Sequence, residues 1–208
     1  MDFKTEINEL ENLQEDNDFI VKKGSIPILF SAVHTIEHIK EDGSIKLSEP
    51  YTKAISLYLN KHYNSYSFVK CKSTGIDSNK DNYDDFNIDL RRFIKDNNIK
   101  LLIDLHGASK ERDFDVEFGT LNNMSADFST IKELEEAFKE NGVKNIVHND
   151  PFKGGAITIG ALSIDDIDVI QLEINGKYRD YYNIDNLKII INALSKFIKQ
   201  YDEYIKRR

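Results

Sequence analysis

Two apolar runs of strand character, Ile28-Leu-Phe-Ser-Ala-Val-His34-Thr-Ile-Glu37-His38 and Ile103-Asp104-Leu-His106-Gly, each end directly in residues that bind metals. A histidine, a glutamate three residues later and a distant second histidine are the ligand set of a catalytic zinc site. Such a site uses three protein ligands and leaves the fourth position for water or substrate. If the chain turns after Val33, residues three apart point the same way, so His34 and Glu37 can share an ion with His106. His38, four residues from His34, permits a rival pairing through two imidazoles. Glu37 is preferred because a mixed His, Glu, His set balances charge and keeps a bound water reactive. His62 and His148 have no comparable partners in sequence and read as surface or structural histidines.

A third cluster is Val169-Ile-Gln-Leu-Glu173-Ile-Asn175-Gly-Lys-Tyr178-Arg179. Apolar residues on both sides of Glu173 place a carboxylate on an otherwise buried strand, which is costly unless the group is paired or functional. Desolvation would raise its pKa toward the range of a general base. Arg179 and Tyr178 follow closely and could contact a substrate, or lie on an exposed turn. Asp104 shares a strand face with His106, where it could orient the imidazole or cap a neighbouring turn. Lys153-Gly154-Gly155 could form a tight turn that brings backbone donors to a substrate, or a plain loop. No phosphate-binding glycine motif is present, so nucleotide use is not supported.

These residues need a scaffold that gathers strand ends. Ile26 to Val33, Lys100 to Leu105 and Asp168 to Ile174 read as buried strands, and Ser67 to Cys71 and Asn145 to His148 as shorter ones. Helical periodicity runs from Glu49-Pro50 to about Lys61, from Tyr83 to Asn97, from Thr130 to Asn141 with Gly142 closing it, and from Ile184 to about Tyr204. Strands separated by helices predict an α/β three-layer sandwich with a mostly parallel central sheet. In such sheets the ligand crevice lies at the carboxyl ends of the strands, where His34, His106 and Glu173 fall.

The bulk properties narrow the class. The chain has 208 residues, a net charge of -8 and one cysteine. The length fits a single domain over 1–208 with a substantial core. The acidic balance disfavours nucleic acid as a partner. The short basic tail Lys206-Arg207-Arg208 reads as the solvated end of a helix. No apolar stretch is long enough to span a bilayer, and the acid-rich start lacks the pattern of a signal peptide, so no membrane partner and a cytoplasmic location are expected. Cys71 excludes an internal disulfide and, beside Phe68 and Val69, reads as a small core residue.

Taken in order, five blocks make the chain resemble the N-formylglutamate amidohydrolase family and, more distantly, the zinc carboxypeptidases and aspartoacylases. They are the strand leading into His34, Ile-Asp104-Leu-His106, Asp113-Phe-Asp115-Val-Glu-Phe-Gly119-Thr, Pro151-Phe-Lys-Gly154-Gly155 and Gln171-Leu-Glu173-Ile. The resemblance implies a phosphorylase/hydrolase-like fold, a single Zn2+, and hydrolysis of an amide in a small N-acyl amino acid or short peptide. It departs from the family where His34-Thr-Ile replaces a His-Ser-Gly segment, and it lacks a clear Asn-Arg pair for a substrate carboxylate. Arg91-Arg92 falls on a helix whose solvated face is the default. Arg112, on a loop after His106, is the better residue for a carboxylate or oxyanion. The expected assignment is therefore zinc on His34, Glu37 and His106, Glu173 and Arg112 as catalytic groups, and Lys153, Gly154, Gly155 and Arg179 around the substrate. N-formylglutamate is the type substrate. A zinc exopeptidase or polyglutamate-type hydrolase, and an inactive metal-binding protein of the same fold, are the alternatives.

Overall fold

Residues that are apolar at every position can be buried on both faces of a sheet, and the runs with that pattern form the centre of this one. The computed structural model describes residues 1–39, 43–73, 75 and 77–206. In chain order the first half comprises α1 (Phe3–Glu11), β1 (Phe19–Lys22), β2 (Ile28–Ala32), β3 (His38–Ile39), β4 (Ile45–Lys46), α2 (Thr52–Tyr63) and β5 (Tyr66–Lys70). The second half comprises α3 (Asp85–Asp96), β6 (Leu101–Ala108), β7 (Val116–Gly119), α4 (Phe128–Glu140), β8 (Ile146–His148), α5 (Ala156–Ala161), β9 (Asp168–Asn175) and α6 (Ile184–Lys206).

Among the described residues these strands form a seven-stranded sheet in the order β1-β5-β2-β6-β9-β7-β8, with β3 and β4 as a separate hairpin. The four central strands β5, β2, β6 and β9 run parallel, and β1 and β7 pair antiparallel at their outer sides. The predicted mostly parallel α/β sandwich is the observed fold. The additional elements α1, β1, β7, α5 and the β3–β4 hairpin have no counterpart in the sequence reading, because each is short or flanked by polar residues. Of the basic tail, Arg207 and Arg208 lie outside the described residues.

The two faces of the sheet are covered unequally. Ile103 and Leu105 of β6 face a large apolar core with Phe30, Leu172, Phe118, Leu134, Leu194 and Phe197, which carries α2, α4 and α6. The alternate residue Leu102 faces a smaller core with Leu29, Val169, Phe86, Leu90 and Ile157, built against α3 and α5. On this second face the apolar residues stop halfway along the strands. Beyond Leu29, Leu102 and Val169 come Ser31, Asp104 and Gln171, paired across the sheet, and then His106 and Glu173. Strand alternation thus delivers two polar rows to one face, toward the carboxyl ends of the parallel strands. Burying them is tolerable only if the side chains satisfy one another.

The α2 start is displaced from its predicted position. Helix α2 begins at Thr52 because Tyr51 takes a left-handed φ of 67°. Its first turn has no cap of its own. Glu11 of α1 accepts hydrogen bonds from the backbone N–H groups of Tyr51 and Ala54 at 2.9 and 3.1 Å, satisfying donors that helix starts leave unpaired. This leaves Glu49-Pro50 outside the helix, as a turn beside the sheet edge.

Candidate active site

Two histidines meet one glutamate at the carboxyl edge of the sheet. His34 follows β2, His106 lies on β6, and their rings pack edge to face with centroids 4.9 Å apart. Glu49 stands between them, its Oε1 2.9 Å from His34 Nδ1 and its Oε2 3.5 Å from His106 Nδ1. The backbone fixes Glu49 in place. Its N–H donates to the His34 carbonyl at 2.7 Å, and its Oε2 accepts from the Gly107 N–H at 2.8 Å.

Each imidazole is held from behind by an aspartate. His106 Nε2 is 2.8 Å from Asp104 Oδ2, and Asp104 Oδ1 accepts from the Ser31 hydroxyl at 2.6 Å. His34 Nε2 is 2.8 Å from Asp77 Oδ1. A carboxylate on Nε2 selects the tautomer that leaves Nδ1 as the free ligand, the pattern found behind metal-bound histidines. Both free nitrogens point toward Glu49. The ligand atoms of His34, Glu49 and His106 all lie within 4.8 Å of one another, and all three residues are buried. Two imidazoles and a carboxylate are a donor set suited to zinc once the ring nitrogens give up their protons to it, so the residues fit a metal centre.

The surrounding carboxylates favour a proton on His106 that a metal would displace. Burial alone would raise Glu49 and lower His106. The two imidazoles instead hold the Glu49 carboxyl well below the usual range, and Asp104 and Glu49 hold His106 well above its own. Burial likewise works against the charge on Asp77, yet His34 and Lys46 keep its carboxyl below the ordinary carboxylate range. His38 lies on the opposite side of His34, its ring stacked on His34 at 5.4 Å. It stands 3.3 Å from Asp77 Oδ2, an ion-pair distance without the angle of a hydrogen bond. Burial pushes its pKa down, with Asp77 opposing. His34, His38 and Asp77 therefore form a second compact group on the other nitrogen of His34.

Glu37 is placed elsewhere. Residues 33–37 make no helical turn, and His38 opens the β3–β4 hairpin. Strand alternation then turns His38 inward and Glu37 outward, and Glu37 is exposed. The three-residue spacing that joins side chains on a helix does not apply to this segment. The carboxylate beside His34 and His106 is Glu49, fifteen residues beyond His34 and legible in sequence only as a helix start.

Next to the imidazoles lies a pair of buried carboxyls. Glu173 of β9 is the register partner of His106 on one side and of Glu117 of β7 on the other. Burial pushes Glu173 up, with the Glu49 charge adding and His106 opposing. Gln171 donates to Glu173 Oε1 at 3.0 Å. Glu117 is fully buried, accepts from the Phe152 N–H at 2.7 Å, and is pushed up to about 7 by burial, with the charges of Glu173 and Asp150 adding. Among the described residues its second oxygen has no hydrogen-bond partner. Val116-Glu117-Phe118 carries the same signal as Leu172-Glu173-Ile174, a carboxylate between buried apolar residues, and that signal was available in the sequence.

The remaining residues separate into rim and scaffold. Arg112 is exposed on the loop after β6, its guanidinium 5.1 Å above the Phe152 ring. Asn175 pins that loop by donating to the Arg112 and Phe114 carbonyls. Lys153 is exposed, and Gly154 adopts a φ of 120° that favours glycine. A Cβ on Gly155 would lie 1.9 Å from Asn79 Oδ1, so this glycine admits the Asn79 side chain against the start of α5. Arg179 is buried and donates to the carbonyls of Ile174, Pro50 and Ala108 at 3.0, 3.0 and 2.8 Å. It clamps the ends of β6 and β9 to the Glu49-Pro50 turn, and Gly107 makes room for its guanidinium. Tyr178 is buried beside it, and His62 and His148 pair with Glu6 and Glu135 away from this cluster.

A mostly parallel α/β sheet with imidazoles and carboxylates at the carboxyl ends of its strands places the chain among the layered α/β sandwich proteins. Residues 80–179 match the model of the N-formylglutamate amidohydrolase family, and the family resemblance read from the sequence is thereby shown. The matched stretch contains His106, Arg112, Glu117, Glu173 and Arg179, and His34 and Glu49 precede it. Similar solved structures cover most of the chain. An N-formylglutamate amidohydrolase from Ralstonia eutropha JMP134 is 13% identical with a TM-score of 0.69, over 91% of this chain and 98% of that one. A bacteriophage poly-gamma-glutamate hydrolase is 12% identical with a TM-score of 0.59, over 91% and 90%. A metallo-carboxypeptidase from Burkholderia cenocepacia is 13% identical with a TM-score of 0.51, over 91% of this chain and 61% of that one. No curated protein matches the sequence. Among the described residues no helix is long and apolar enough to cross a membrane.

Proposed function

We propose that residues 1–208 form one catalytic domain, a cytoplasmic zinc-dependent amidohydrolase that cleaves the amide of a small N-acyl amino acid such as N-formylglutamate. The observation that carries this reading is the convergence of His34 Nδ1 and His106 Nδ1 on Glu49, each ring backed by an aspartate, with Glu173 in register beside His106. His34, Glu49 and His106 would hold a single Zn2+. A bound zinc supplies Lewis acidity toward the scissile carbonyl and an acidified water.

The chain's own residues do the rest. Glu173, its pKa raised by burial, accepts the proton of the attacking water and returns it to the departing nitrogen. Glu117 stands across the strand from it as a neighbour about half protonated near pH 7, which lessens the negative charge Glu173 faces from that side. Arg112 and Lys153, exposed on the loops either side of Phe152, supply positive charge for the substrate carboxylate or the developing oxyanion. Local cations are needed, because a chain of net charge -8 does not attract an anionic substrate at long range. The Gly154-Gly155 turn lines the same loop. For Arg179 the role we propose is support of the site's floor, since its donors are engaged by backbone carbonyls.

Zinc content measured by mass spectrometry, with a turnover screen of N-formyl and other N-acyl amino acids and γ-glutamyl peptides, tests the reading. Near-stoichiometric zinc with turnover of N-formylglutamate is expected. Turnover of the γ-glutamyl peptides alone would move the assignment to a polyglutamate-type hydrolase, and zinc with no turnover of any substrate to an inactive metal-binding protein.

A further inference from the structure

Among the described residues, Lys46 is the lysine or arginine placed directly on the ligand atoms just described. Its Nζ lies 2.6 Å from His34 Nδ1, 3.1 Å from His34 Nε2 and 3.0 Å from Glu49 Oε1. An ammonium within 3.1 Å of both nitrogens of one ring sits over the ring face, off the in-plane lone pairs, and its ion pair is with Glu49 Oε1. A divalent ion held by His34, Glu49 and His106 needs that carboxylate and the space beside His34. Lys46 and an ion are therefore alternatives at Glu49, beside His34.

We infer that Lys46 is a displaceable internal cation that holds the ligand set together and competes with the metal at Glu49, beside His34. Three features support it. The first is charge: Glu49, Asp77, Asp104 and Glu173 crowd one buried region, and an ammonium among them offsets their mutual repulsion. The second is placement. Lys46 is on β4, the register partner of His38, so the hairpin aims both side chains inward while Ile39 and Ile45 face out. The third is access to solvent. The Lys46 side chain is 28% exposed against 10% for Glu49, so its long stem lets the head swing to water without unpacking the core. A lysine in this position sets how tightly the site binds metal, acting at Glu49, beside His34.

This inference rests on the metal reading above, and its test separates the two. Wild type, Lys46→Met and Lys46→Arg proteins are stripped with a chelator and titrated with Zn2+ against a chromogenic competitor at one fixed pH. Lys46→Met is expected to bind zinc more tightly by roughly tenfold or more, and Lys46→Arg to stay near wild type. The stripped Lys46→Met protein should also melt below stripped wild type, and the loaded proteins together. A lysine that merely supported the fold would weaken zinc binding when removed. Equal or weaker binding by Lys46→Met would overturn the role of Lys46 and leave the metal centre standing. Failure of every form to take up zinc would overturn both. Should Lys46→Met misfold by circular dichroism, Lys46→Gln takes its place with the same expectation.

Discussion

His106 and Glu173 are register partners on neighbouring parallel strands, so an imidazole and a carboxylate stand side by side on one face at the carboxyl edge of the sheet. Pairing through a continuous ladder holds them more rigidly than loops would, and it extends one strand further to Glu117. Two residues earlier the same strands bring Asp104 opposite Gln171, and these two side chains contact His106 and Glu173 respectively. Each buried polar side chain and its contact partner therefore arrive together, one pleat apart.

Glu173→Gln keeps the side-chain shape and removes the proposed base. Turnover should fall by about 10²- to 10⁴-fold while zinc uptake is unchanged. Retained turnover in a zinc-loaded variant would remove Glu173 from the chemistry.

Two glutamates compete as the third ligand, and paired variants decide between them. Glu49→Gln should lose most of its zinc on dialysis, since Glu49 contacts both histidines, and Glu37→Gln should keep it. The opposite pattern would restore the His34-x-x-Glu37 motif as the ligand set.

In the proposed zinc site, Asp104 stands behind His106. Replacing it by Asn should weaken zinc binding roughly 10- to 100-fold, the usual cost of losing a carboxylate behind a metal-bound histidine. An unchanged zinc affinity would make Asp104 a fold residue only.

Arg179 separates clamp from substrate grip. Removing its guanidinium in Arg179→Met leaves three backbone carbonyls without donors, an expected loss of about 2–4 kcal/mol in stability by denaturant unfolding. A stable variant with a selectively raised KM would instead assign Arg179 to the substrate.

The Glu117 carboxyl gives the protein a pH signature. It titrates at about 7 when folded, against roughly 4.3 in an unfolded chain. Between those values the folded protein holds a proton the unfolded chain has lost, so this group's contribution falls as pH rises through the window and is at its least favourable above about 7. Glu117→Gln keeps an acceptor for the Phe152 N–H and cannot ionise. Its gain in melting temperature over wild type should therefore grow from pH 5 to pH 8, and a gain independent of pH would show that Glu117 does not titrate there.

Local pattern alone determined the central strands and the placement of His34, His106 and Glu173 at their ends, because apolar runs and the two-residue period act over a few neighbours. It also determined the strand face shared by Asp104 and His106. Tertiary structure decided which groups join them. Glu49 reaches His34 through a hairpin and a turn set by the left-handed Tyr51 and the Glu11 cap, neither of which has a short-range signature. Asp77 and Lys46 arrive from different segments, and Arg179 turns inward to the strand ends because three backbone carbonyls converge there. Glu37 shows the limit most simply: its spacing from His34 is right for a helix, and the backbone after Val33 leads into a strand.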